Sequence, residues 1–275
     1  MLLGIDIGGT TIGLGLVENR EIVRKVSVPS FPPGASLDET LDYLSGRIQE
    51  IRTPGTDHIG IGVPTLVDVP RGIVYNALNI PSWTEVHLKE YLEDRFALPV
   101  SVNNDANCFV LGAAARLGHL KGTVVGVTLG TGTGIGILID GKLFAGDHCG
   151  AGELCSLPYE RSILEAYCSK QFFDGQGLSA KDCAGAAEAG DPAALAQMQL
   201  FGRHIGKLLS VVMFAYDPSL IVLGGGVANA FELFRGSMME SLREQYLYHH
   251  VLDSITILSM PESDTALLGA SLLNR

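Results

Sequence analysis

With 275 residues, 47% of them hydrophobic, the chain has enough apolar material for one large domain or two moderate ones. Its 19 Lys and Arg stand against 30 Asp and Glu, a net charge of −11 that excludes the basic stripe a nucleic-acid backbone needs. An anionic ligand would have to be met by backbone dipoles and a metal. Met1 runs into an apolar strand without a basic and then apolar leader, and the apolar run around Leu208–Tyr216 is too short for a bilayer. Cys108, Cys149, Cys155, Cys168 and Cys183 contain no CxxC pair. A cytoplasmic protein with reduced thiols and no membrane contact is expected.

The first element is a strand followed by a Gly/Thr bend, "GIDIGGTTIGLGL" at 4–16. A Walker A loop needs a lysine beside its Ser or Thr, and Thr10-Thr11 has none. A dinucleotide fingerprint needs a helix after the glycines, whereas Ile12, Leu14 and Leu16 alternate with glycine as in a returning strand. The opening therefore reads as a β-hairpin with Asp6 and Thr10 near its bend. On its own such a hairpin is weak evidence for a phosphate cradle, since glycine-rich hairpins are mostly plain turns.

Next comes "ASLDETLDYLSGRIQEIR", where Leu37, Leu41, Leu44, Ile48 and Ile51 share one helical stripe and Ser36 is placed to cap it. "HIGIGVP" reads as a buried strand, Thr84 as the cap of a second helix, and "LPVSV" as a further strand. The strand leads into "NNDANC" at 103–108, which puts Asp105 where a strand ends and a helix begins. A lone cap needs one polar residue, and Asn103, Asn104, Asp105 and Asn107 supply more than that.

Residues 126–143, "GVTLGTGTGIGILIDGKL", repeat the opening almost position by position, with one residue of difference at the bend. In both copies an apolar strand, a Gly/Thr bend and a Gly-interleaved strand lead to a polar turn, Glu18-Asn19-Arg20 or Asp140-Gly141-Lys142, and a third strand. Two such copies imply two similar α/β lobes whose bends flank one cleft, able to grip a polyphosphate from both sides. The second lobe continues with a long helix from about Pro192 to Tyr216, a stop at Asp217-Pro218, the strand "SLIVL", then "GGGVA" and another helix.

Taken together and in order, DxGGT (Asp6, Gly8, Gly9, Thr10), "NNDANC", "LGTGTGIG" at 129–136, "GAGE" at 150–153, "LEAYCS" at 164–169 and "LGGGV" at 223–227 resemble the ROK family of sugar kinases and repressors. The resemblance covers essentially the whole chain. It implies the duplicated actin-like, ribonuclease H-like ATPase fold of class α/β, with lobes at 1–117 and 118–262 and a C-terminal helix, 263–275, completing the first.

By the same resemblance, Gly8, Gly9, Thr10 and Thr11 and Gly130, Thr131 and Gly132 hold the phosphates of ATP, and Gly224, Gly225 and Gly226 border the adenosine. These last glycines are expected to open a helix. Asp6 would sit beside a hydrated Mg2+, the alternative being a carboxylate that satisfies the turn. Asp105 would be the catalytic base on a sugar hydroxyl, the alternative being a helix cap. Asn79, Asn104, Glu153 and Glu165 would bind the sugar over a floor formed by residues 62–65, and Trp83 reads as packing, not as a stacking platform. A homodimer is implied as well.

The pattern breaks at one place. The family follows its "GE" glutamate with Gly-His and a CxCGxxGC zinc loop, whereas Glu153 is followed by Cys155 and Ser156 and the cysteine loop is missing. No zinc is expected, since the spacing of His148, Cys149, Cys155 and Cys168 fits no ordinary zinc site. The "NIPSW" segment is similar to that of allose- and glucose-type members. The resemblance thus implies an ATP- and Mg2+-dependent kinase of the 6-hydroxyl of a hexose or N-acetylhexosamine. The alternatives are a catalytically silent sugar sensor and, disfavoured by charge and by a hairpin beginning at residue 2, a repressor.

Overall fold

The computed structural model describes residues 1–77, 79–261 and 264–273. Ser263, Asn274 and Arg275 of the expected C-terminal helix lie outside the described residues. The chain divides into two compact units, Met1–Leu120 with Gly141–Ala151 and Ser263–Arg275, and Lys121–Asp140 with Gly152–Glu262.

The first unit opens with β1 (Leu2–Ile7), β2 (Thr11–Glu18) and β3 (Glu21–Pro29), an antiparallel meander. Helix α1 (Leu37–Ile51) follows, and its start is a capping box: Glu39 N donates to Ser36 Oγ at 3.3 Å and Ser36 N donates to Glu39 Oε2 at 2.8 Å. Leu41, Leu44, Ile48 and Ile51 are buried against the sheet. Strand β4 (His58–Val63) is buried throughout, as a parallel strand covered on both faces must be. A small antiparallel ribbon comes next, β5 (Val67–Asp68), β6 (Ile73–Tyr75) and β7 (Glu85–Val86). Then come α2 (Leu88–Phe96), β8 (Val100–Asn104) and α3 (Asp105–Leu117).

Thr84 does not cap α2. The residue at that position is His87, which makes no side-chain cap bond, and Thr84 precedes β7 instead. The apolar Val86 was absorbed by the ribbon, which delays the helix by a turn. Trp83 is buried in the core, its Nε1 donating to Thr40 Oγ1 at 2.8 Å and its ring against Phe31.

The second unit repeats the plan with β9 (Thr123–Leu129) and β10 (Thr133–Ile139). The third strand of this repeat, β11 (Lys142–Leu143), counts with the first unit and is only two residues long where β3 has nine, so the repeat is truncated at that point. A 3-10 turn at Glu153–Ser156 leads to a short hairpin, β12 (Pro158–Tyr159) and β13 (Ser162–Ile163). Helices α4 (Leu164–Cys168), α5 (Gln171–Asp174), α6 (Ala180–Glu188) and α7 (Pro192–Tyr216) follow. In α7, Asp191 accepts from Ala194 N at 2.8 Å, Pro192 fills the first turn, and Asp217 ends the helix in the left-handed region. The chain continues through β14 (Leu220–Gly224), α8 (Phe231–Gln245), α9 (His249–Leu252) and β15 (Thr256–Ser259), and α10 (Asp264–Ser271) returns to the first unit.

The two sheets share an order. In the first, β3-β2-β1-β4-β8 are neighbours; in the second, β10, β9, β14 and β15 follow one another as β2, β1, β4 and β8 do. In the first sheet β3-β2-β1 pair antiparallel and β1-β4-β8 parallel, and in the second β10-β9 pair antiparallel and β9-β14-β15 parallel.

Many strand glycines serve packing, not ligand binding. A Cβ on Gly4 would collide with the Leu267 carbonyl oxygen, and one on Gly60 with that of Ala270, so α10 lies directly on the backbone of β1 and β4. A Cβ on Gly112 of α3 would collide with the Thr265 carbonyl in the same way.

Candidate active site

In the first unit, Asp6 lies next to the end of β1, paired with Gly13, and the bend of residues 8–11 connects Ile7 to Ile12. The bend is closed by Gly8 N donating to Thr11 O at 2.9 Å, and it is held from outside by Ser30, whose Oγ donates to Gly8 O at 3.0 Å. Gly9, Thr10 and Thr11 are exposed. Asn79 is exposed as well and lies over the bend: a Cβ on Gly9 would come within 3.2 Å of Asn79 Nδ2.

The end of β8 presents Asn103, Asn104 and Asp105. Asn104 is the cap of α3, its Oδ1 accepting from Ala106 N at 2.9 Å and Asn107 N at 3.4 Å, and its Nδ2 donates to Thr65 O at 3.3 Å. Asp105 is the first helical residue, its Oδ1 accepting from Ala106 N at 2.8 Å. Buried Asn103 ties this corner together, its Oδ1 accepting from Asn104 N at 2.8 Å and Asn107 Nδ2 at 2.9 Å. Gly62 passes beneath: a Cβ there would be 3.5 Å from Asp105 Cα and 3.2 Å from Cys108 Sγ.

Asp6 and Asp105 are electrostatically coupled. Burial, and then the charge of Asp105, push the Asp6 carboxyl from 3.8 up to about 7. Two carboxylates that disfavour each other's ionisation make a cation-seeking pair. Among the described residues no group of three or more His, Cys, Asp or Glu is placed to hold a metal. All five cysteines are buried.

In the second unit three residues connect Leu129 to Thr133 where the first hairpin uses four, and Thr128 stands at the register position of Asp6, opposite glycine. Thr131 of this bend is exposed. Gly225, with φ +82, lets the turn after β14 run against the end of β9, where a Cβ would be 2.5 Å from the Leu129 carbonyl oxygen. The glycines after β14 open a 3-10 turn, Gly226–Ala230, and the α-helix begins only at Phe231; the expectation of a helix starting on the glycines is corrected by this one turn.

Gly130, Thr131 and Gly226 line a cavity of about 950 Å³. Its other walls include Lys170, Asp174, Ser179, Lys181 and Asn229, none of which the sequence singled out. Only Ser179 carries a local signal, as the cap of α6 accepting from Asp182 N at 3.3 Å. Gly224 is buried at the strand end and is not part of this lining.

Glu153 begins the 3-10 turn after Gly152, and its carboxyl is raised by partial burial and then by the charge of Glu165. Glu165 itself accepts from Thr133 N at 3.0 Å and from Gln171 Nε2 at 3.1 Å. The structure therefore brings Asp6, Asn79, Asn104 and Asp105 to one unit, and Glu153, Glu165 and the second bend to the other.

The profile described as "ROK family" matches residues 2–275. The chain is 28% identical over 309 residues to a glucokinase of Thermotoga maritima, covering 98% of this chain and 96% of that one. It is 27% identical to the N-acetylgalactosamine kinase AgaK of Shewanella sp. strain ANA-3, covering 99% and 96%. A ROK family glucokinase from Streptomyces griseus, solved with glucose and AMPPNP, superposes with a TM-score of 0.83 at 28% identity, covering 99% and 98%. The repeated sheet order and this likeness make the fold the duplicated actin-like ATPase fold. With the profile spanning nearly every residue, the chain belongs to the ROK family.

Proposed function

We propose that the chain is an ATP- and Mg2+-dependent kinase that transfers the γ-phosphate of ATP to the 6-hydroxyl of a hexose or N-acetylhexosamine. The observation that carries this reading is the division of labour at β8 and α3: Asn104 caps the helix, and Asp105, one residue further, stands beside Asp6. Capping alone does not explain a second carboxylate at that corner. The relatives that match along nearly the whole chain are named as kinases of glucose and of an N-acetylhexosamine, which supports the substrate class.

In this reading the lobes are 1–117 with 263–275 and 118–262; the two compact units differ from these bounds in counting residues 118–120 and 141–151 with the first. Lys170, Lys181 and Asn229, with the Gly130–Gly132 bend and the turn at Gly226, hold the nucleotide in the second. Gly8, Gly9, Thr10 and Thr11 contribute backbone to the phosphates. The oxygen donors fit Mg2+: Asp6 would hold it through water, and when bound it supplies neutralisation of phosphate charge. Asp105 accepts the proton of the 6-hydroxyl as its oxygen bonds to the γ-phosphorus and ADP leaves. Asn79, Asn104, Glu153 and Glu165 are the residues that orient the sugar, and hydroxyls left unpaired penalise the wrong epimer. The protein works as a cytoplasmic homodimer.

The test is ADP release with Mg·ATP across glucose, mannose, allose, fructose, glucosamine, N-acetylglucosamine and N-acetylmannosamine, run beside Asp105→Asn. One sugar that stimulates release in the wild type and not in the variant supports the reading. Sugar binding by thermal shift with no turnover across the panel rejects it in favour of a sensor.

A further inference from the structure

Glu153 and Glu165 stand on elements too short to hold themselves. Glu153 opens a four-residue 3-10 turn and Glu165 lies in the first turn of the five-residue α4, neither with a side-chain cap. Between them the chain loops out as the β12–β13 hairpin, whose base is closed by Leu164 N donating to Leu157 O at 3.0 Å. Two paired residues on each side do not fix such a hairpin either. Its half-buried residue is Tyr159, and this reaches α7: Tyr159 Oη and His204 Nδ1 are hydrogen-bonded at 3.1 Å. The Tyr159 ring stands edge-on to those of His204 and Tyr167, with centroids 5.7 and 5.2 Å away. His204 takes hold of the following helices as well. Its ring lies 5.0 Å from Tyr167 of α4 and 5.5 Å from Phe172 of α5, and its carbonyl oxygen accepts from Cys168 Sγ at 3.4 Å. At the hairpin tip, Arg161 N donates to Tyr167 Oη at 3.4 Å.

We propose that His204 and Tyr159 are positioning residues for the sugar: through their contact the 25-residue helix α7 fixes the hairpin and α4, and with them the spacing of Glu153 and Glu165. Two carboxylates that share one ring of hydroxyls must be held at one separation, because a misplacement of an ångström forfeits their bonds. Neither short element supplies that rigidity, and a long helix with an interlocked aromatic cluster does. The hydroxyl of a half-buried tyrosine has water as an alternative partner; its engagement by His204 therefore serves geometry and not mere satisfaction of a polar group. The inference rests on the reading above, in which Glu153 and Glu165 orient the sugar.

The test measures calorimetric Kd values of the full chain for Mg·AMPPNP and for whichever sugar of the panel above raises the Tm of the wild type. Tyr159→Phe keeps the ring and drops the hydroxyl; it is expected to weaken the sugar about fivefold, the equivalent of one net hydrogen bond, and to leave Mg·AMPPNP within about twofold. His204→Ala is expected to weaken the sugar on the order of tenfold, and His204→Asn, which keeps a polar atom at the place of Nδ1, to fall between it and wild type. Where the sugar is turned over, its KM should rise with its Kd while the KM for ATP stays. A lower unfolding midpoint in Tyr159→Phe with both affinities unchanged makes the cluster packing alone and overturns the inference, as does an equal loss of both. Should His204→Ala fail to fold, Tyr159→Phe decides. Wild-type protein that binds a sugar without phosphorylating it removes the kinase reading and leaves the Kd comparison to decide this one. Binding of no sugar in the panel rejects both.

Discussion

Asn104 caps helix α3 and Asp105 stands one residue inside it, so the two neighbouring polar side chains at the end of β8 have different work. Replacing each should separate stability from turnover. Asn104→Ala should lower unfolding free energy by about 1 kcal/mol, the usual loss of an N-cap. Asp105→Asn should leave the urea midpoint nearly unchanged and reduce kcat by about 10²–10⁴-fold, the range for removal of a general base. Equal turnover in wild type and Asp105→Asn would remove Asp105 from catalysis.

Asp6 sets a pH dependence whose sign is opposite to that of an ordinary ion-paired carboxylate. Its folded value of about 7 lies above the ordinary 3.8, so between these values the folded chain keeps a proton that the unfolded chain releases. The neutral Asp6 is no penalty below the lower value, and stability falls as pH rises toward the upper one, by up to about 4 kcal/mol in total. Asp6→Asn should abolish this decline. Subtracting urea-unfolding profiles of wild type and variant from pH 4.5 to 8.5 reads the effect; parallel profiles would contradict it.

Two glycines of the first unit should respond in opposite directions to alanine. At Gly60 the new methyl meets the Ala270 backbone carbonyl, which cannot yield without lifting α10 off the sheet, so a loss of about 3 kcal/mol or more is expected. At Gly46, inside α1, nothing lies within 4 Å of the added Cβ, and Gly46→Ala should stabilise by about 0.5–1 kcal/mol. Chemical denaturation of both variants decides.

Trp83 is the only tryptophan of the chain, so its fluorescence reports on one buried place. Thr40→Val removes the acceptor of its indole N–H at similar volume and should cost about 1–3 kcal/mol, the penalty of a buried donor left unpaired. The emission maximum should stay blue-shifted in the folded variant, with an earlier unfolding midpoint.

What could be read from the residues follows from how local each signal is. The capping box at Ser36 and Glu39, the stripe from Leu41 to Ile51, and the limits of α7 at Pro192 and Tyr216 depend on neighbours within a turn, and the structure has them there. The repeated hairpins were visible because a Gly/Thr bend leads in both to a strand in which glycine alternates with larger residues. Thr84 failed as a cap because Glu85 and Val86 pair with Tyr75 and Val74, residues about ten positions away. Lys170 and Lys181 were illegible: they line the cavity because α5 and α6 are carried there by packing on α7, and neither sits in a recognisable local pattern. The engagement of Glu165 by Thr133 spans 32 positions and had no counterpart in spacing.

The seating of α10 on bare glycine backbone also has a temporal side. Residues 264–271 follow the whole of the second unit in the chain, yet β1, β4 and α3 are shaped to receive them. During synthesis the stretch 121–140 with 152–261 can close its own core while the earlier-made strands still wait for their covering helix. The first unit is therefore begun first and finished last, and its unsheltered β1–β4 face is the surface a nascent chain must protect until α10 emerges.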